Sequence, residues 1–263
     1  MATQDKNPKF IKENTLFFGG KGTGKSSMLV VASMLGTEQD NNRLIHYKND
    51  IDAYPNLFDK SLKDIPNIRV NFDIKLNYYG GCGVQLMKFD PFKFMKPNNV
   101  FEYENIHKGC IYLCDEAQEY YDSYRYKEIP SFVYRVFELC RKLKTLLHLA
   151  THRYMRIAPA IRELYTSFVF MVKVEILAKD DYNKPSKIRL YYVPFFNSVT
   201  ADEFYKSNNL SAEELVKKKF CKYYDFERTI FECFNTDEQE KEFREKISDS
   251  SLEWYKKKEK SNE

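Results

Sequence analysis

The chain has 263 residues, 43% of them apolar, which is enough for one sizeable core or for a core with an appendage. Its 42 basic and 38 acidic side chains leave a net charge of +4, too balanced to mark a nucleic-acid binder on charge alone. No stretch approaches the roughly 20 apolar residues that span a bilayer, because Lys173 and Glu175 interrupt the longest candidate, FVFMVKVEIL.

The opening MATQDKNPKF is polar and lacks the apolar centre of a signal peptide. Residues 15–18, TLFF, suit a short buried strand. A glycine loop follows, and KSSMLVVASMLG then reads as a helix with Gly36 as its stop. RLIHY (43–47), IRVNFDI (68–74) and VQLMKFDPF (84–92) are expected strands, and NYYGGCG (77–83) a loop or hairpin turn. GCIYLCDEAQEYY (109–121) is an apolar run that ends in two acids. IPSFVYRVFELCRKLK (129–144) has its apolar residues at helical spacing, with Ser131 placed to cap it. TLLHLAT (145–151) is a strand, and APAIRELY (158–165) a short helix with Pro159 in its first turn. FVFMVKVEIL and KIRLYYVPF flank AKDDYNKPS as an antiparallel hairpin. Beyond residue 200 the chain reads as charged and helical, with a frayed tail, EWYKKKEKSNE.

Strands alternate with helices as far as residue 177, so the expected fold is α/β: a mostly parallel sheet sandwiched by helices, with a C-terminal hairpin and a charged helical tail. The expected domains are residues 1–200 and a helical extension, 201–263. The six cysteines, Cys82, Cys110, Cys114, Cys140, Cys221 and Cys233, form no C-x-x-C pair and read as reduced, mostly core thiols.

Residues 19–26, GGKGTGKS, fit G-x-x-x-x-G-K-[ST] without a gap, between an expected strand and an expected helix. Backbone N–H groups of such a loop point inward, and the helix adds the positive end of its dipole, so the unit can cradle phosphates. Gly19, Gly20, Lys21, Gly22, Thr23, Gly24, Lys25, Ser26 and Ser27 are the candidate ATP-binding residues. Lys25 would reach the terminal phosphates, and the Ser26 hydroxyl would sit on Mg²⁺. Asp115 and Glu116 close the later apolar strand. The first acid of such a pair holds Mg²⁺, and the second can polarise the attacking water, which makes Glu116 the candidate base. In hydrolases with this pairing a further strand lies between the loop strand and the acidic strand. Its polar tip, Thr151 or His152 here, then faces the γ-phosphate.

The order of glycine loop, FDPF (89–92), the D-E-A-Q of residues 115–118, the basic helix with Arg141 and the Ile161-Arg162 pair resembles the ATPase domain of zonular occludens toxin-like proteins. These are assembly ATPases of filamentous phages, grouped with the FtsK/HerA-type DNA-pumping motors. The resemblance covers roughly residues 14–175 and implies a RecA-like P-loop ATPase. Where the family carries a sensor Gln, this chain has His152, which is still a hydrogen-bond donor. Many members carry a membrane-spanning helix after this domain, and this sequence shows none.

The resemblance further implies a ring-shaped homo-oligomer whose site is shared between subunits and completed by a neighbour's arginine. Arg141, Arg153, Arg156 and Arg162 are the candidates, with Arg162 first because it follows the sensor strand; the ordinary alternative is a solvated arginine or one paired with Glu163. Implied partners are single-stranded DNA and a membrane assembly complex or a capsid, with the protein in the host cytoplasm, peripheral at the inner membrane. LVKKKFCKYYDFER (215–228) interleaves bases and aromatics, and reads either as a grip for single-stranded DNA or as a solvated helix face. Three functions stay open: a filamentous-phage-like assembly motor, a genome-packaging or conjugative DNA translocase, and a P-loop phosphotransferase or switch. The toxin activity in the family's name is not expected of an ATPase domain alone.

Overall fold

The computed structural model describes residues 1–6, 8, 10, 13–39, 68–72, 86–88, 91, 110–143, 145–179, 181 and 185–226; at 34–39, 68, 86–88, 141–143 and 185 it describes the backbone alone. The expected strand 43–47, the loop 77–83 and the tail lie outside these residues, as do Cys82 and Cys233.

Nine described strands form one sheet. They are β1 (Thr3–Gln4), β2 (Thr15–Phe18), β3 (Ile68–Val70), β4 (Leu86–Lys88), β5 (Ile111–Cys114), β6 (Leu146–Thr151), β7 (Ser167–Lys179), β8 (Pro185–Phe195) and β9 (Lys222–Phe226). Their order across the sheet is β1-β9-β8-β7-β2-β6-β5-β3-β4. From β7 to β4 every pairing is parallel, and β8 alone runs against its neighbours. The sheet is therefore mostly parallel, as the alternation of strands and helices predicts.

Parallel strands covered on both faces read as continuous apolar runs, which is why TLFF and IYLC lack alternation. Phe17 faces one core, with Leu113, Ala150 and Val169 from neighbouring strands. Leu16 and Phe18 face the other, with Tyr112, Leu149 and Phe168. The helix α1 (Lys25–Gln39) covers the first face with Met28 to Ala32, all fully buried. On the second face lies α2 (Ser131–Leu143), whose Val133, Val136, Phe137 and Cys140 point inward at i, i+3, i+4 and i+7. Each such side chain contributes about 1.5–3 kcal/mol of burial. The short helix α3 (Pro159–Arg162) and α4 (Ser198–Ser207) add Ile161 and Ala201 to the same core. Cys110, Cys114, Cys140 and Cys221 are buried free thiols.

Three local expectations shift. Gly36 does not stop α1, which runs on to Gln39; one helical glycine costs only about 1 kcal/mol and is carried by the buried first turns. Ser131 lies inside the first turn of α2, because Val133 N–H bonds to the carbonyl of Pro130. Residue 200 is not an edge of the sheet either: after α4 and α5 (Ala212–Val216) the chain returns as β9 beside β8. Val172, Tyr191, Val193, Leu215 and Cys221 form a third small core there.

Candidate functional site

The glycine loop joins the end of β2 to the start of α1 and lies against β7. Gly24 has φ +90°, and a Cβ there would stand 2.1 Å from Val174 Cγ2. At Gly19 a Cβ would stand 2.5 Å from the Met171 carbonyl oxygen. Any side chain at either position would push the loop off β7, so these glycines are required by close approach as well as by dihedral. Gly20, Lys21 and Gly22 form the exposed crest. The Gly20 carbonyl accepts from Thr23 Oγ1 at 2.9 Å and from Lys25 Nζ at 2.8 Å. Lys25 is 7% exposed, and its ammonium is folded back into the loop. Burial pushes its pKa below the ordinary lysine value, and the carboxylates of Asp115 and Glu116 offset part of that. Ser27 is buried in the first turn of α1.

Asp115 follows β5. Asn71, just after β3, holds its backbone in both directions: the Asp115 N–H donates to Asn71 Oδ1, and Asn71 Nδ2 donates to the Asp115 carbonyl, each at 2.8 Å. The Ser26 hydroxyl donates to Asp115 Oδ2. Burial raises the Asp115 carboxyl above its usual range and the Glu116 charge adds to this, while the Ser26 hydroxyl, the Glu116 N–H and Lys25 work against it. A serine hydroxyl and a buried carboxylate in contact are hard oxygen donors of the kind that suits Mg²⁺, so this pair fits the expected cation.

Glu116 adopts the left-handed conformation, φ 48° and ψ 44°, and so turns the chain out of β5. Its carboxylate is 53% exposed. Burial, the largest influence, would raise its pKa. Hydrogen bonds from Gln118 and His152, with the charges of His152 and Lys25, outweigh burial and hold it below the usual carboxylate range. β6 lies between β2 and β5, so its tip falls between the glycine loop and the acidic pair, as expected of a sensor strand. The two candidates at that tip separate. Thr151 is fully buried, and its hydroxyl donates to Gln118 Oε1. His152 Nδ1 lies 2.7 Å from Glu116 Oε2.

The arginines are placed differently from the sequence expectation. Arg162 does not face outward: its side chain is 8% exposed, bonds to Asp202 Oδ1 at 2.7 Å, and lies over the Tyr154 ring. Tyr154 OH donates to the same carboxylate oxygen at 2.6 Å. Arg162 therefore ties α3 to α4 inside its own chain and is not presented to a neighbour. Arg156 pairs with Asp122. Arg153 is exposed beside the sensor tip, and of Arg141 the backbone alone is described. Asp202→Ala is expected to lower the unfolding free energy by on the order of 3 kcal/mol, seen as a lower urea midpoint, because it strands a buried guanidinium. Nucleotide affinity should be retained, and equilibrium unfolding beside a binding titration would separate the two.

Sequence reasoning missed Asn71 and the role of Gln118. Asn71 follows β3 directly, and a polar residue at the tip of the strand next to the acidic one is the signal that could have found it.

A strand, glycine loop and helix facing an Asp-Glu pair, with a polar-tipped strand inserted between them, define a P-loop fold on a RecA-like, mostly parallel α/β sheet. No protein-family model matches the chain, and no curated protein matches it in sequence. Solved structures resemble it. The N-terminal domain of zonular occludens toxin from Neisseria meningitidis aligns at TM-score 0.44 and 13% identity, over 85% of this chain and 100% of that one. The genome packaging NTPase B204 of Sulfolobus turreted icosahedral virus 2, in complex with AMPPCP, aligns at 0.41 and 10%, over 71% and 98%. The flagellar accessory protein FlaH from Methanocaldococcus jannaschii aligns at 0.37 and 9%, over 76% and 87%. The fold assignment rests on the strand order and loop geometry described above.

Proposed function

We propose that this chain is an ATP-hydrolysing motor for virion assembly and export of the filamentous-phage kind, acting as a ring on single-stranded DNA or on the assembly complex. The observation that supports it is the convergence of Lys25, Ser26, Asp115, Glu116 and His152, from three adjacent strands, on one loop. A phosphotransferase would need the loop and the cation ligands. It has no need of a carboxylate poised beside them to activate water.

In this reading Lys25 exchanges its Gly20 contact for the β- and γ-phosphate oxygens of ATP. Ser26 and Asp115 would hold Mg²⁺, which neutralises charge on those oxygens. Glu116 takes a proton as the water oxygen bonds to the γ-phosphorus; the bond from that phosphorus to the bridging oxygen breaks, and ADP leaves with the electron pair. His152 contacts the γ-phosphate. Of the four arginines, Arg153 is the described side chain free to reach a neighbouring subunit's site. Among the described residues no helix is long and apolar enough to cross a membrane. In this reading the ring docks on a membrane complex or a capsid from the host cytoplasm.

ATP turnover measured against protein concentration, with and without single-stranded DNA, tests this. Specific activity should rise steeply with concentration as rings form. Turnover independent of concentration would remove the shared site. Strong stimulation by DNA, with direct binding through the exposed Lys217 to Phe220 segment, would make DNA rather than the assembly complex what the ring acts on, and would favour the packaging-translocase alternative.

A further inference from the structure

Gln118 has a place in the site that neither the glycine loop nor the acidic pair explains. It lies in the single turn after Glu116, Ala117–Glu119, and is 1% exposed. A buried primary amide must satisfy one acceptor and two donors. Its Oε1 accepts from the Thr151 hydroxyl, and its Nε2 donates to Glu116 Oε2 at 2.5 Å. The same nitrogen lies 3.2 Å from His152 Nδ1. Only one orientation of the amide is chemically consistent. Turned over, it would set its oxygen against a carboxylate oxygen, two acceptors with no proton between them.

The orientation fixes its neighbours in turn. His152 Nδ1, 2.7 Å from the carboxylate, must carry its proton there, so that nitrogen donates to Glu116 as well. Oε2 of Glu116 thus receives two donors, one from each of the adjacent strand ends. Among the described residues no hydrogen bond reaches Oε1. A carboxylate oxygen with two donors is a poor proton acceptor, and the other oxygen is left for water. The backbone agrees. Glu116 is the one described non-glycine residue with positive φ, and Ala117, beside Gln118, is buried and anchors the turn through its carbonyl to the N–H groups of Tyr120 and Tyr121.

We propose that Gln118 is a positioning residue for hydrolysis: it clamps Oε2 of Glu116, presents Oε1 to the attacking water, and ties the base to Thr151 on the sensor strand. This rests on the hydrolysis reading above. It also links the two strand ends, so a shift of the β6 tip on phosphate release would carry the base with it.

Gln118→Met keeps the length and bulk of the side chain and removes its hydrogen bonds to Glu116 and Thr151. It is expected to lower kcat about 10- to 100-fold, the loss that a misaimed catalytic group brings. KM for ATP and the affinity for a fluorescent ATP analogue should stay within about twofold, since no ground-state contact to nucleotide is lost. Thr151→Val removes the anchor of Gln118, and with it the acceptor of the Arg153 N–H, without touching Glu116, and should lower kcat in the same direction by less. In a Glu116→Gln background Gln118→Met should cost almost nothing more, because the base it aims is gone. A merely structural Gln118 would instead lower kcat, affinity and thermal midpoint together, and would add its loss to that of Glu116→Gln. If both single variants fold and turn over at the wild-type rate while Glu116→Gln is inert, the positioning role is overturned and the hydrolysis reading stands. If the wild-type protein fails to turn over ATP at any concentration, the hydrolysis reading falls and takes this role with it.

Discussion

Lys25→Ala is expected to abolish productive nucleotide binding and to reduce ATP turnover by at least about 10²- to 10³-fold, the loss on removing one preorganised donor from developing charge. The geometry explains the size of the effect. Lys25 is the first residue of α1, so its side chain starts where the helix dipole is positive and the loop N–H groups converge. It is nearly buried, and already faces the loop interior through its bond to Gly20. Little side-chain entropy remains to be lost when phosphate replaces that carbonyl. Two carboxylates, Asp115 and Glu116, also lie within its field. Without the ammonium they face a triphosphate with one less positive charge between them. Lys25→Arg should fail as well, because a planar fork does not replace a compact ammonium in a closed loop. Equilibrium binding of a fluorescent ATP analogue and steady-state turnover, run on the same preparation, check both. Normal turnover in Lys25→Ala would sink the central assignment.

How much of this was legible in the sequence follows the range of the interactions. The glycine loop was readable because its chemistry is local: glycines where a Cβ would strike β7, then a lysine and a serine opening a helix. The acidic strand was readable for a similar reason, since an apolar run ending in Asp115 and Glu116 carries its own boundary. The insertion of β6 between β2 and β5 was expected from the order of the motifs, and the sheet has that order. The side-chain partners were not readable. Arg162 sits on a short helix after the sensor strand, which made it look available to a neighbour. Its counter-charge, Asp202, is forty residues away, on a helix whose docking only the fold reveals. Asn71 reaches Asp115 across a gap of 44 residues. From the residues alone either Thr151 or His152 could tip the strand, and only the family resemblance favours His152. The pleat decided between them, turning Thr151 inward to Gln118 and leaving His152 beside Glu116. The strand β1 at the sheet's edge and β9 beside it are short, the first exposed and the second mostly half-buried, so no periodicity announced them.

Glu116→Gln is expected to keep ATP bound while turnover falls about 10²- to 10⁴-fold, the range for loss of a general base. The two halves of this expectation have separate causes. Gln is nearly isosteric with Glu, so the left-handed turn and the packing of Ala117 survive. The groups that would hold phosphate and its cation, Lys25, the loop N–H groups and Ser26, are untouched. Affinity should be unchanged or higher, because the substitution removes a negative charge that would repel the γ-phosphate. It also removes one of the influences that raise the Asp115 carboxyl, and so favours the charged form that holds the cation. What is lost is proton acceptance: a neutral amide oxygen cannot take a proton from water near neutral pH. The His152 Nδ1–H keeps an acceptor in the Gln oxygen, so the sensor end need not collapse, and a fall in rate cannot be laid to unfolding of the site. Single-turnover hydrolysis with pre-bound ATP isolates the chemical step from binding. Wild-type single-turnover rates in Glu116→Gln would show that the base lies elsewhere. His152 would then be the first group to test, because it is the other proton carrier at the tip of the inserted strand.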